Sequence, residues 1–384
     1  MAGLHFDPEE YAARRARTCR AMAREGLDGL LLFRQESMYY LTGFDTFGYV
    51  FFQCLYLGGD GRMTLLTRAP DRLQARQTSV IEDIRIWVDD PEAKPAEDLR
   101  AILEEHGCRG QRLGVEYEAY GLTARNGKRL EAALEGFASL ADASELVTRL
   151  RAVKSDAEIG FARCAAGLAD DALEAALPLV RPGAFEGEIL AAMQGAVFRG
   201  GGDYPGNDYI IGSGPSALLC RYHSGRRHLD AEDQLTLEWA GVDRRYHAAM
   251  MRTLRLGPAP AAQSEMFKAA RDALLAVEGA LRPGTTFGAA FDAHARTLDK
   301  AGYADHRMNA CGYSLGATFS PNWMDWPMLY HGNPAEILAG MTIFVHIIIF
   351  DDSNGLAMTL GRTSLVGPGG AEVLSRLPLD FTLA

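Results

Sequence analysis

The chain has 384 residues, 48% of them hydrophobic and 23% charged, ordinary globular proportions that exclude collagen-like, coiled-coil and disordered architectures. Lys and Arg number 39 against 50 Asp and Glu, a formal net charge of −11. That field repels phosphate backbones and no basic run offsets it, so no nucleic-acid partner is expected. The most apolar stretch, 341–350, is half the length of a membrane helix and contains a histidine, so no membrane partner is expected either. Six cysteines are scattered without a C-x-x-C pair, and the first residues lack a basic patch followed by an apolar core. Both features suit a reducing, cytoplasmic setting and no secretory leader.

The first helix is announced by Asp7 as cap, Pro8 at the first helical position and Glu10 three residues on, a capping box. Gly26 to Gly29 ends it and leads into an apolar strand at 30–33. Further strands are predicted at 50–57, 63–66, 84–88 and 112–115, with helices at 95–106 and 122–134. This alternation argues an α/β domain over about the first 145 residues. A long helix follows at 154–176, with Ser155 and Glu158 as a second capping box. Strands are then predicted at 209–211, 234–240, 251–256 and 341–350, with a long helix at 261–281. The domain boundary falls near 146–154. An Arg-Pro-Gly turn recurs, at 181–183 and at 282–284, each time between helical stretches and followed by Phe185 or Phe287. Such an echo can mark a duplicated half-domain, although Pro-Gly turns are common in any fold.

The segment 235–253 reads as a strand that rises to Glu238, turns through Gly241, and returns through Tyr246 and His247 to Met251-Arg252-Thr253. A carboxylate flanked by Leu235, Leu237 and Trp239 is either paired or has a raised pKa, which makes Glu238 a functional candidate. The alternative is a solvent-facing glutamate on an edge strand. His346 interrupts an otherwise apolar strand, where an imidazole must find a hydrogen bond or face a pocket. Facing a pocket with a pKa near 6.5, it could give a proton to a leaving group near neutrality. His247 is either catalytic or a hydrogen-bonded core histidine.

The hairpin resembles that of the creatinase, prolidase and methionine aminopeptidase family. So do Tyr39-Tyr-Leu-Thr-Gly-Phe44, Val153-Lys-Ser-Asp-Ala-Glu-Ile159 and Gly312-Tyr-Ser-Leu-Gly316, and the Arg-Pro-Gly echo fits the family's duplicated catalytic domain. The resemblance implies a mixed α/β (α+β) protein. A small creatinase-like amino-terminal domain would span 1–147, and a pita-bread catalytic domain with an internal pseudo-two-fold repeat would span 148–384. It also implies a homodimer acting on a small-molecule substrate. The family's metallopeptidases hold two metal ions with two Asp, one His and two Glu. The matching positions here are Glu238, Ala249, Tyr313, His346 and Gly361. Four of the five have lost the expected type and two have no side-chain donor, so no metal and no other cofactor is expected.

Two branches of that family work without metal, the creatinases and the ectoine hydrolases. This chain is more similar to the latter, through Glu238-x-x-Gly241 with Arg245-Tyr-His-Ala248, Gly202-Asp-Tyr-Pro205, and Cys311-Gly-Tyr313 with Pro321-x-Trp323. The resemblance implies hydrolysis of a non-peptide C–N bond in a small polar nitrogen compound, with Glu238 as nucleophile or general base. His346, His247 and His223 are the further catalytic candidates. Arg221 stands where creatinases carry a loop histidine and could clamp a substrate carboxylate, with His223 two residues on. Tyr313 and Trp323 offer aromatic faces to a cationic group, Arg252 is another candidate substrate contact, and Phe47 and Tyr49 match residues that creatinases lend to the neighbouring subunit. The competing expectations are a divergent metal-dependent Xaa-Pro peptidase and an inactive ligand-binding relative.

Overall fold

The computed structural model describes residues 3–221 and 225–381. It divides into two compact units between Arg151 and Ala152. That division falls in the last turn of a helix, Leu146–Ala152.

The first unit runs α1 (Pro8–Arg24), β1 (Gly29–Leu32), α2 (Gln35–Thr42), β2 (Cys54–Gly58), β3 (Met63–Arg68), α3 (Asp71–Thr78), β4 (Asp83–Trp87), α4 (Pro95–Glu105), β5 (Arg112–Val115), α5 (Ala124–Leu134), β6 (Ser139–Asp142) and α6 (Leu146–Ala152). Its strands form one mixed sheet in the order β4-β3-β2-β1-β5-β6. β1 explains the layering. Leu30 and Leu32 enter one core with Leu55, Leu57 and Leu65, whereas Leu31 and Phe33 enter another with Leu113 and Val115. A strand covered on both faces loses polar alternation and reads as a continuous apolar run. Two expectations are corrected here. Glu10 closes no capping box, since the Asp7 side chain makes no cap bond and Glu10 instead pairs with Arg14 at 2.6 Å. The strand expected from 50 begins only at Cys54, because Gly48–Val50 form a short 3-10 turn.

The second unit runs α7 (Asp156–Ala176), α8 (Glu186–Arg199), β7 (Ile210–Ser213), β8 (Asp233–Asp243), β9 (Tyr246–Leu256), α9 (Ala261–Ala280), α10 (Phe287–Lys300), β10 (Ala310–Leu315), β11 (Asp325–Tyr330), β12 (Thr342–Asp351), β13 (Leu356–Gly367) and β14 (Gly370–Val373). The Ser155–Glu158 capping box at the start of α7 is present with both of its bonds. Its main sheet has the order β11-β10-β12-β13-β9-β8-β7. Two long antiparallel hairpins, β8–β9 and β12–β13, meet at a seam between β9 and β13, with β7 flanking one hairpin and β10 the other.

The halves correspond beyond the sheet. Each contains two helices joined by the recurring Arg-Pro-Gly turn, with Gly183 and Gly284 both at positive φ (80° and 86°), where glycine carries no side-chain clash. A one-residue bridge follows each turn, Phe185 to His228 in one half and Thr286 to Glu336 in the other. The internal pseudo-two-fold repeat is therefore real.

The seam itself is thin, with only Leu360 opposite Arg252 and Gly361 opposite Met251. Side chains supplement it. Arg252 Nη1 donates to the Gly361 carbonyl at 2.6 Å, Thr363 Oγ1 to the Ala249 carbonyl at 2.9 Å, and the Thr359 amide to Thr253 Oγ1 at 2.8 Å.

Candidate active site

Strand register places the predicted residues before any side-chain contact is considered. Residues directly opposite in an antiparallel pair share a face. Ile210, Glu238, Met251, Gly361 and His346 form one row across β7, β8, β9, β13 and β12. The seam passes between Met251 and Gly361, so Glu238 and His346 occupy equivalent positions in the two halves. Tyr313 pairs with Phe344, two residues before His346, and lies on the same face.

Side chains close the gap between the halves. Tyr313 donates its hydroxyl to Glu238 Oε1 at 3.4 Å, and its ring lies 5.5 Å from that of His346, centroid to centroid. Trp323 Nε1 donates to the Tyr313 oxygen at 2.9 Å, which leaves the phenolic proton directed at the carboxylate. Glu238 is only 9% exposed. Burial is the main cause that lifts its pKa to about 7, against the opposing pull of the Arg221 guanidinium and the Tyr313 hydrogen bond. Burial also raises the Tyr313 phenol well above its ordinary value, so it stays protonated at neutral pH.

His346 is the one residue of 342–349 that is only partly buried. Its Nδ1 is buried without a partner. Desolvation, with lesser contributions from His294 and Arg221, pushes its pKa down to about 3. In place of the expected pKa near 6.5, burial favours the neutral imidazole at neutral pH.

Arg221 joins the group, since its charge acts on Glu238, Tyr313 and His346 alike. So does Cys220, which the sequence reading passed over although it adjoins Arg221; Glu238 is among the causes that raise its thiol pKa, after burial. His223 lies outside the described residues.

Other candidates are placed elsewhere. His247 shares the face of Glu238 but stands opposite Val242, at the far end of the hairpin. Its Nε2 accepts the Gly206 amide at 2.8 Å, so the neutral ring carries its proton on Nδ1, which donates to the Arg245 carbonyl at 2.8 Å. With both nitrogens engaged and burial holding its pKa near 4, His247 is the hydrogen-bonded core histidine of the two alternatives. Arg252 is out of phase with Glu238 and faces the opposite side of β9, where it bonds the Met251 and Gly361 carbonyls. There it stitches the seam. In the first unit Phe47 is 76% exposed and Tyr49 is buried.

The metal-ligand positions of the resemblance fare worse in space than in sequence. A side chain on Gly361 would meet the Phe344 ring at 2.9 Å, so that ring fills the place where a ligand would stand. Ala249, wholly buried, presents only a methyl group. Among the described residues no three His, Cys, Asp or Glu side chains gather closely enough to hold a metal ion. The donors left, one carboxylate, one phenol and one imidazole, do not fit a dinuclear centre, which needs bridging and terminal carboxylates.

Comparison with known proteins agrees with this architecture. Residues 161–370 match the model of metallopeptidase family M24, and residues 14–153 match the creatinase/prolidase N-terminal domain. The chain belongs to family M24. Among its M24 relatives, the ectoine hydrolase of Halomonas elongata is 29% identical over 98% of this chain and 98% of that protein. The Xaa-Pro dipeptidase of Pyrococcus horikoshii is 22% identical over 92% and 94%. The solved Xaa-Pro dipeptidase from Bacillus anthracis superposes with a TM-score of 0.85 at 21% identity, covering 97% of this chain and all of that one. The fold is thus the creatinase-like domain followed by the M24 pita-bread domain, and the protein is an M24 hydrolase acting on C–N bonds. Among the described residues no helix is long and apolar enough to cross a membrane.

Proposed function

We propose that this protein is a metal-independent hydrolase that cleaves a non-peptide C–N bond in a small, polar, amidine-like or guanidino compound. The observation that carries the reading is the Glu238–Tyr313–Trp323 chain, a buried carboxylate oriented by a phenol that is itself oriented by an indole, on a sheet where Ala249 and Gly361 offer no side-chain donor. The ectoine hydrolase among the relatives supports the reaction class.

Ionised Glu238 either adds to the electrophilic amidinium carbon or takes a proton from a water that does. In the first case a C–O bond forms as the C–N π electrons move to nitrogen. The C–N bond to the other nitrogen then breaks as that nitrogen is protonated and the lone pair of the remaining nitrogen re-forms a C=N bond. Water attacks the resulting imidoyl carboxylate to release an amide and free Glu238. Tyr313, kept protonated by burial and bonded to Glu238, supplies that proton to the leaving nitrogen. Arg221 supplies positive charge for a substrate carboxylate. His346 stays neutral and adds no second cation that would repel an amidinium.

The test is Glu238→Gln assayed on a panel of ectoine and other cyclic amidines, guanidino acids and Xaa-Pro dipeptides. The wild type is expected to turn over a compound of the first two classes. The variant should lose at least about a thousandfold in kcat, on the order of 4 kcal/mol of barrier. A folded variant retaining a tenth of the activity, or turnover confined to Xaa-Pro dipeptides, would overturn the reading.

A further inference from the structure

Three features of the second unit have no role in the reaction just described, and they meet at one residue. The turn joining β8 to β9 places two consecutive non-glycine residues, Arg244 and Arg245, at positive φ (50° and 67°). Such conformations are unfavourable for side chains with a Cβ and persist only where the surroundings hold them. Here the Arg245 amide donates to Asp203 Oδ2 at 3.1 Å, and its carbonyl accepts from the Thr318 amide at 3.2 Å and from His247 Nδ1 at 2.8 Å. Gly206 is the second feature. A side chain there would strike the backbone of Asn322 and Trp323 at 2.8–2.9 Å, so the 206–207 segment lies directly against the loop that carries Trp323. The third is His247 itself, buried at 1% exposure with both ring nitrogens committed.

The backbone of Trp323 is gripped from two sides. Its amide donates to Asn207 Oδ1 at 3.2 Å, and its carbonyl accepts a long bond of 3.5 Å from Thr318 Oγ1. Each grip adjoins one nitrogen of His247. Nε2 holds Gly206, the neighbour of Asn207, and Nδ1 lies 3.1 Å from Thr318 Oγ1. The indole so placed reaches Tyr313, and Tyr313 reaches Glu238.

We propose that His247 is a positioning residue: its two ring nitrogens lock the 206–207 and 318–323 segments around Trp323 and thereby aim the Tyr313 hydroxyl at Glu238. The neutral Nδ1–H tautomer is the only form that serves both bonds, since Nε2 must accept while Nδ1 donates. A pKa near 4 keeps that form in place throughout the working range.

This inference rests on the reading of Glu238 as the reacting carboxylate, and its test needs no turnover, so either can fail without the other. The emission of Trp323, isolated by subtracting a Trp323→Phe protein, is followed from pH 5 to 9. Glu238 feels the charge of Arg221 and the hydrogen bond of Tyr313 and in turn acts on Cys220, and burial raises the pKa of both Tyr313 and Cys220. Glu238 is therefore the group expected to titrate near 7, and Glu238→Gln should abolish the step. His247→Ala is expected to halve the step or to raise its midpoint by about half a pH unit, as the carboxylate loses its phenolic partner. His247→Gln can present an oxygen near the Nε2 position and should recover part of the wild-type behaviour. Thr318→Val and Asn207→Ala should reproduce the loss with the imidazole itself retained, and they carry the test if His247→Ala does not fold. An unchanged midpoint and amplitude in the folded variants would overturn the proposal. So would a wild-type titration with no step that Glu238→Gln removes.

Discussion

At the scale of single residues, the site is governed by what burial does to two ionisable groups of opposite kind. Desolvation raises Glu238 to about 7 and lowers His346 to about 3, so both are driven toward neutrality. In the proposed reaction the ionised carboxylate is the reactive form, so kcat/KM should rise with pH along a single limb with its midpoint near 7. His346→Asn should leave that limb in place while lowering the rate, as read from a pH–rate profile of the two proteins. Loss of the limb in the variant would return it to the histidine. The same shift bears on stability. A carboxyl whose folded pKa lies above its unfolded value favours the folded state most at low pH, and that advantage is lost as pH rises from 4.5 through 7. Glu238→Gln should therefore match the wild type below pH 4 in chemical denaturation and exceed it at pH 8 by roughly 3 kcal/mol. A gain at high pH alongside a collapse in turnover is the signature of a charge kept for chemistry.

At the scale of elements, the seam between the two hairpins shows why some roles were legible in the sequence and others were not. Glu238 and His346 stood out because each breaks an apolar strand, and the register then places them in one row. Arg252 lies in an equally apolar strand, yet its phase relative to Glu238 follows only from the pairing, and that phase puts it on the other face. β13 itself was missed: Leu356–Gly367 mixes Gly361, Arg362 and three polar hydroxyl residues with its apolar ones, so alternation is blurred where the strand crosses the seam. The role of Gly361 was equally hidden, because the Phe344 ring comes from a neighbouring strand. Arg252→Gln should lower the melting temperature by several degrees, as about 2–3 kcal/mol of buried bonding to two carbonyls is disturbed, and should leave KM within about twofold. A large rise in KM at unchanged stability would restore Arg252 as a substrate contact.

At the scale of the molecule, the family frame is plain in the chain and the chemistry is not. Capping boxes, the Arg-Pro-Gly echo and strands alternating with helices are local signals, and the Ser155–Glu158 box and the duplicated turns survive in the structure. At the five positions that the resemblance matches to metal ligands, far apart in sequence, this sheet carries a carboxylate, a methyl group, a glycine under a phenyl ring, a phenol and an imidazole. The central claim is that Glu238 works without a metal. It is tested most directly by elemental analysis of protein expressed in manganese-, cobalt- and zinc-supplemented medium, with C–N hydrolysis on the panel measured before and after dialysis against a chelator. The account predicts no stoichiometric metal and an undiminished rate after dialysis. One or two bound metal ions per chain, with activity that falls on chelation and returns on adding the metal back, would contradict it.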